Sequence, residues 1–285
     1  MHMNKLTDCY TLSNGVGIPC IGYGTWQNPD GETAVNTVLS AIEAGYRHID
    51  TAQGYGNEES VGIAINQCGL PRKELFITSK LANSEHGYDK TLAAFESTMK
   101  KLNTEYLDLY LIHWPNPLAF RNNWQEANAG SWKAFEELYR AGRIRAIGVS
   151  NFMPHHLKEL MKTAAIPPMV NQIKLCPGIT QDETVDYCRS CNILPEAYSP
   201  LGIGQIFEVP EMNMLAEKYN RSIAQICIRW SLQRGYLPLP KSVTPHRIRE
   251  NTEVFDFELE ADDVQLIADL KGCVGYAKDP DTIVF

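Results

Sequence analysis

The sequence predicts an α/β chain of 285 residues folded as one closed (β/α)8 barrel, with an N-terminal β-hairpin closing its bottom and an extra C-terminal helix. Two observations carry this. Short apolar runs alternate with segments of helical period eight times over, the pattern of parallel strands covered by helices. No Pro/Gly/Ser-rich linker, low-complexity tract or sequence repeat breaks the alternation. The rival, an open doubly wound sheet, would need such a boundary, so residues 1–285 read as a single domain. A third observation gives the barrel a direction. The runs ending at Asp50, Lys80 and His113 each place a polar group just past apolar residues, and barrels of this kind build their sites where the strands end.

The elements follow in order. Tyr10-Thr-Leu12 and residues 16–20 flank Ser-Asn14-Gly15, a strong hairpin signal. The first barrel strand is read at 21–24, then a helix at 32–44 with Val35, Val38, Leu39 and Ile42 on one face and Gly45 as its stop. The cycle continues with strand 48–50 and helix 58–66, strand 75–79 and helix 90–102, and strand 107–112 and helix 131–141. Strand 144–149 is followed by helix 154–162, strand 169–173, helix 182–191 and strand 194–198. A helical region over 211–233, interrupted near Asn220, leads to strand 236–239, closing helix 245–251 and extra helix 261–270.

Composition excludes several classes. With 44% hydrophobic and 21% charged residues the chain is an ordinary globular protein able to bury a large core. A net charge of -8 and a pI near 5.4 argue against nucleic acid or anionic membrane as general partners, and leave room for a local basic pocket. No run approaches a membrane span, and Met1-His-Met-Asn-Lys-Leu6 lacks the apolar stretch of a secretory signal, so a cytoplasmic location is expected. The eight cysteines (9, 20, 68, 176, 188, 191, 227, 273) are expected to be buried free thiols. Cys188-Arg-Ser-Cys191 has no second Cys or His pair at zinc spacing, and no metal site is expected.

The chemistry centres on four residues. A tyrosine alone, with a pKa of about 10, is a poor acid or base near neutrality. A lysine beside it stabilises the phenolate, and an aspartate holds the lysine charged and in place. Asp50, Tyr55 and Lys80 supply that set, and His113 could orient a substrate oxygen. The arrangement suits a carbonyl that gains hydride on carbon and a proton on oxygen. Tyr55, followed by Gly56-Asn57, also fits a helix-capping loop residue, and His113 a satisfied core histidine. A hydride needs a donor, yet the dinucleotide Gly-x-Gly-x-x-Gly is absent: Gly15-Val-Gly17 sits in the hairpin and lacks the third glycine. The turn Pro240-Lys241-Ser242-Val243-Thr244-Pro245-His246-Arg247 is the better phosphate site, with two cations at the start of a helix.

With these pieces in place the chain resembles the aldo-keto reductase family from end to end. The resemblance rests on Gly45 to Asn57, Leu109-Tyr-Leu-Ile-His113-Trp-Pro, Gly142 to Phe152 with Ser150-Asn151, Ala197-Tyr198-Ser199-Pro-Leu201-Gly, and the Pro240 to Asn251 segment. It implies a monomeric TIM barrel that uses NADPH without a dinucleotide-binding domain to reduce small carbonyl substrates. Tyr55 would be the general acid, tuned by Lys80 and Asp50, with His113 orienting the carbonyl. The resemblance gives Ser150, Asn151 and Gln172 to the nicotinamide amide, Tyr198 to ring stacking, and Ser199 and Leu201 to the linking region. It gives Lys241, Ser242 and Arg247 to the adenosine 2′-phosphate and Glu250 and Asn251 to the adenine, counts Gly24, Thr25 and Val243 as further cofactor contacts, and lines the substrate pocket with Trp26 and Trp114. The alternative is a non-catalytic NADPH-binding interaction module on the same barrel.

Departures from the family pattern are local. Where an acid, a histidine and an aromatic are usual after the sixth strand, this chain has Lys174, Cys176 and Gly178. Short loops at 116–130 and 202–210 and a brief tail after Leu270 resemble the compact bacterial diketogluconate reductase-like branch. They imply a fairly open pocket.

Overall fold

The computed structural model describes residues 3–285, with Met1 and His2 outside the described part. Strands β1 (Cys9–Thr11) and β2 (Gly17–Pro19) pair antiparallel as the expected hairpin. Eight parallel strands follow: β3 (Gly22–Gly24), β4 (His48–Asp50), β5 (Phe76–Leu81), β6 (Leu107–Ile112), β7 (Ile144–Ser150), β8 (Val170–Lys174), β9 (Leu194–Tyr198) and β10 (Leu237–Leu239). They neighbour one another in chain order from β3 to β10. The ring closes where the Gly24 N–H donates to Pro240 O (3.1 Å). Gly22 makes that approach possible, since a Cβ there would lie 2.5 Å from the Leu239 side chain and 2.6 Å from His48 Nδ1.

Among the described residues ten α-helices accompany the strands: α1 (Glu32–Glu43), α2 (Glu58–Gln67), α3 (Tyr88–Leu102), α4 (Trp124–Arg140), α5 (Pro154–Met161), α6 (Asp182–Ser190), α7 (Pro210–Tyr219), α8 (Ile223–Gln233), α9 (Pro245–Glu250) and the extra α10 (Ala261–Ala268). Most ends fall within two residues of the sequence reading. Helix α4 is the exception, starting seven residues before the expected Ser131. Its buried face there is polar: Asn128 donates to Pro115 O (2.8 Å) and Ser131 Oγ accepts from the Gly87 N–H (2.8 Å), so no apolar period betrays it. The supposed loop 116–130 is therefore half helix. The break expected near Asn220 is a left-handed residue (φ 50°) after α7, and Ser222 with Gln225 then forms a capping box that starts α8.

Every residue of β5 and β6 is buried, as strands packed on both faces require. Each Leu or Ile so enclosed stabilises the fold by roughly 1.5–3 kcal/mol. The hairpin sits under the barrel: Tyr10 donates to Tyr236 O (3.1 Å) and Asn14 to Arg145 O (2.9 Å), both at strand beginnings. At the same end Asp108 is fully enclosed, held by Arg72 (2.8 Å), Arg145 (2.6 Å) and the Ile77 N–H (2.9 Å). All eight cysteines are free. Cys20, Cys176, Cys188 and Cys227 are buried as expected, whereas Cys68, Cys191 and Cys273 are only partly buried and Cys9 is exposed, because β1 turns it outward.

Candidate active site

The opposite end carries the ionisable groups. Asp50 closes β4, Lys80 lies one residue from the end of β5, and His113 follows β6. Tyr55 ends a single 3-10 turn (Gln53–Tyr55) beyond β4, tied down by its N–H to Ala52 O (3.0 Å) and by the Ala82 N–H to Gln53 Oε1 (3.2 Å). Lys80 Nζ, wholly buried, reaches both Asp50 oxygens (2.7 and 2.8 Å), Thr51 O (2.9 Å) and the Tyr55 hydroxyl (3.1 Å). The His113 ring meets the Tyr55 ring edge-on at 5.6 Å. All four residues singled out by sequence thus converge, neither a spare loop tyrosine nor an isolated core histidine among them.

The electrostatics correct one expectation. Burial pushes the Tyr55 phenol above its ordinary value; Lys80 pulls it down, but Asp50 raises it again, and the net direction is up. Tyr55 therefore holds its proton at neutral pH and stands as an acid. Burial works against the Lys80 ammonium, yet Asp50 and Tyr55 outweigh it and its pKa rises. His113 is pushed down to about 3 by burial and then by the Lys80 charge, so it is a neutral imidazole.

One member of the cluster escaped the sequence reading. Glu196, fully buried on β9, accepts from Gln172 Nε2 (2.7 Å), and the same amide nitrogen donates to Asp50 Oδ2 (2.8 Å). The signal was there: an acid in an apolar strand, two residues before Tyr198 and so on the same face.

The groups assigned to a cofactor ring this centre. Ser150 Oγ donates to Gln172 O (2.8 Å), Asn151 Nδ2 donates to Ser150 Oγ (3.1 Å) and His113 O (3.0 Å), and the Tyr198 hydroxyl donates to Asn151 Oδ1 (2.9 Å). Asn151 and Ser199 take left-handed conformations (φ 62° and 50°) that turn the chain at the rim. Thr25 Oγ1 is buried without a partner among the described residues, one residue past Gly24. Tyr23 donates to Ser242 O (2.7 Å), fixing the turn before α9. There Lys241 meets only a backbone oxygen, Gln27 O (3.4 Å), among the described residues, and Arg247 and Val243 are exposed. Leu201 and Glu250 are partly covered and Asn251 is buried. A buried hydroxyl lacking a partner and cations lacking an acid fit an anionic dinucleotide.

The two tryptophans assigned to the substrate differ in exposure. Trp26 is exposed, but Trp114 is buried under the tail, its ring 5.4 Å from that of Phe285. The tail is pinned by Asp281, which accepts from Asn116 (2.9 Å) and contacts His155 and His156 (3.0 Å each). His155, His156 and Asp281 bring their ligand atoms within 4.8 Å of one another. His156 Nδ1 accepts the Met153 N–H (3.2 Å), so Nε2 carries the proton and donates to Asp281, which suits a latch and not a metal ligand. In the atypical segment Lys174 reaches Tyr276 O (3.4 Å), and Gly178 (φ 76°) stands where a Cβ would come within 2.0 Å of Leu270 O, which excludes an aromatic.

Comparison with known proteins agrees with this geometry. A model described as the Aldo/keto reductase family matches residues 20–271. The glyoxal reductase of Bacillus subtilis is 47% identical over 281 residues, 99% of each chain. A crystal structure of an aldo/keto reductase from Brucella melitensis superposes with a TM-score of 0.88 at 45% identity, covering 94% of this chain and 100% of that one. That of a Bombyx mori aldo-keto reductase in complex with NADP gives 0.84 at 36% identity, covering 94% of both. The chain belongs to the aldo/keto reductase family and is an oxidoreductase that reduces carbonyl groups to alcohols with NADPH.

Proposed function

We propose that Tyr55 is the proton donor of this reduction and that short aldehydes, including α-dicarbonyls, are its substrates. The observation that carries the first part is the Lys80 hydrogen bond to the Tyr55 hydroxyl (3.1 Å). NADPH, when bound, supplies hydride. The protein's part is the proton: as negative charge grows on the substrate oxygen, Tyr55 releases its proton to it, and Lys80 stabilises the phenolate left behind. Asp50 keeps Lys80 aimed at that oxygen, and neutral His113 offers a hydrogen bond to the carbonyl without competing for the proton. Ser150, Asn151, Gln172, Tyr198, Ser199 and Leu201, with Gly24 and Thr25, would hold the cofactor's reactive half. Lys241, Ser242, Val243 and Arg247 would hold its 2′-phosphate, and Glu250 and Asn251 its adenine. Asp50, Lys80 and Tyr55 in one hydrogen-bonded set, with the His113 ring against Tyr55, favour an enzyme over a binding module.

The substrate class is supported by the name of the Bacillus subtilis relative. The chain would act as one cytoplasmic, monomeric barrel domain; no helix among the described residues is long and apolar enough to cross a membrane. Tyr55→Phe is expected to lower kcat on glyoxal at least about 10²-fold, general acid catalysis being worth roughly 10²–10⁴. Its NADPH Kd should stay unchanged. Retention of turnover would remove Tyr55 from the mechanism.

A further inference from the structure

Beneath the ion pair lies a second acid that the mechanism leaves unused. Gln172 and Glu196 are directly opposite on neighbouring strands β8 and β9. The two hydrogens of a single amide serve two carboxyls, Asp50 Oδ2 at 2.8 Å and Glu196 Oε2 at 2.7 Å. Lys80 is the cation of this cluster, and of the two carboxyls it bonds Asp50. Glu196 Oε1 has no hydrogen-bond partner among the described residues; His48 Nε2 lies 3.7 Å from it and is engaged with Thr78 Oγ1 (2.9 Å). A buried carboxylate oxygen without a donor is far costlier than a buried acid, so this arrangement favours the protonated form.

We propose that Glu196 is a positioning residue of the reduction: as a neutral acid it fixes Gln172, and Gln172 fixes both the Asp50 carboxylate and the face of its own amide turned to the cofactor. With both amide hydrogens committed to carboxyls, Gln172 has only its oxygen left to offer a nicotinamide amide. The neutral state keeps one anion opposite one cation beneath Tyr55. Ionisation adds a second negative charge beside Asp50, tightens Tyr55's hold on its proton and weakens it as a donor. The titratable and charged groups facing Glu196 are His48 and Asp50 from β4, Lys80 from β5 and Tyr55 from the turn after β4; β8 presents Gln172, and β10 is Leu-Pro-Leu. Burial and then Asp50 raise the Glu196 pKa to about 8, and His48 is pushed down to about 3 by burial, so it cannot supply a compensating charge.

The inference rests on Tyr55 as donor, and two readouts separate the two ideas. In the first, kcat/KM for glyoxal reduction is measured from pH 6 to 10 for wild type, Glu196→Gln and Glu196→Leu. Wild type should decline above about pH 8. Glu196→Gln cannot ionise, so its ratio of kcat/KM at pH 9 to that at pH 7 should exceed the wild-type ratio by about 5-fold, most of the tenfold that one pKa unit represents. In the second, NADPH Kd is read by quenching of protein fluorescence. Glu196→Leu frees Gln172 and should weaken NADPH by about 10-fold, the value of one hydrogen bond set loose. Glu196→Gln keeps the acceptor and should bind more tightly than Glu196→Leu. Superimposable pH profiles for wild type and Glu196→Gln, or equal NADPH Kd for wild type and Glu196→Leu, would overturn the proposal. Loss of all turnover dependence on Tyr55 with the Kd pattern intact would instead overturn the donor assignment.

Discussion

The barrel buries an aspartate at each end, and the two are treated differently. At the bottom, Asp108 has two guanidinium partners and a backbone N–H, with no oxygen left over. At the top, Asp50 has a single lysine, and among the described residues the second carboxyl, Glu196, keeps a partnerless oxygen and Thr25 a partnerless hydroxyl. The bottom cluster is over-supplied with donors and can do nothing but hold strands together. The top cluster is under-supplied, and its unmet hydrogen-bonding capacity is what a substrate and cofactor would satisfy.

Substitutions should separate the two ends. The largest effect is on chemistry at the top, where Tyr55→Phe should cost at least about 10²-fold in kcat and leave the unfolding midpoint in place. Next comes Asp108→Asn at the bottom. It strands two guanidiniums and should cost about 3 kcal/mol in urea unfolding, the low end for breaking a buried pair because Arg72 and Arg145 keep partial contact with water. The surviving folded enzyme should turn over at the wild-type rate. Lys241→Ala with Arg247→Ala should weaken NADPH at least about 10-fold in a binding titration, as loss of charge-assisted bonds implies, and leave NADH little changed; equal weakening would count against the 2′-phosphate assignment.

The smallest effect comes from pH. Burial lowers His48 to about 3 and His86 and His156 to about 4. A depressed pKa means that the folded state prefers the neutral ring, so its contribution is intact above the unfolded value, about 6.5, and is lost as pH falls through the folded value. Each of these rings should lower stability by about 1 kcal/mol over the first unit below pH 6.5. A flat stability profile from pH 7 to 5 would show that these rings take up protons without cost.

Much of the top end, and the hairpin at the bottom, was legible in the sequence for a physical reason, whereas the Asp108 cluster was not. Asp50, Lys80 and His113 interrupt apolar runs, and the strand period places them at one rim. What stayed hidden depends on who faces whom. Glu196 looked like part of strand 194–198 until its register opposite Gln172 was known. The early start of α4 was masked by Asn128 and Ser131, whose buried bonds give no apolar signal. The upward shift of Tyr55 depends on the balance between burial and one lysine, which spacing along a chain does not contain. Trp114 meets Phe285 because Asp281 against α5 and the Leu118 N–H on Phe285 O hold the tail there, contacts far apart in sequence.

The most direct measurement places Tyr55→Phe and Asp108→Asn on the same two axes, glyoxal reduction and urea midpoint. The account expects the effects to cross, with turnover lost and the midpoint kept in the first, and the midpoint lowered and turnover kept in the second. If Tyr55→Phe unfolded as readily as Asp108→Asn, or if Asp108→Asn lost turnover while its midpoint held, the division of labour between the two ends would be contradicted.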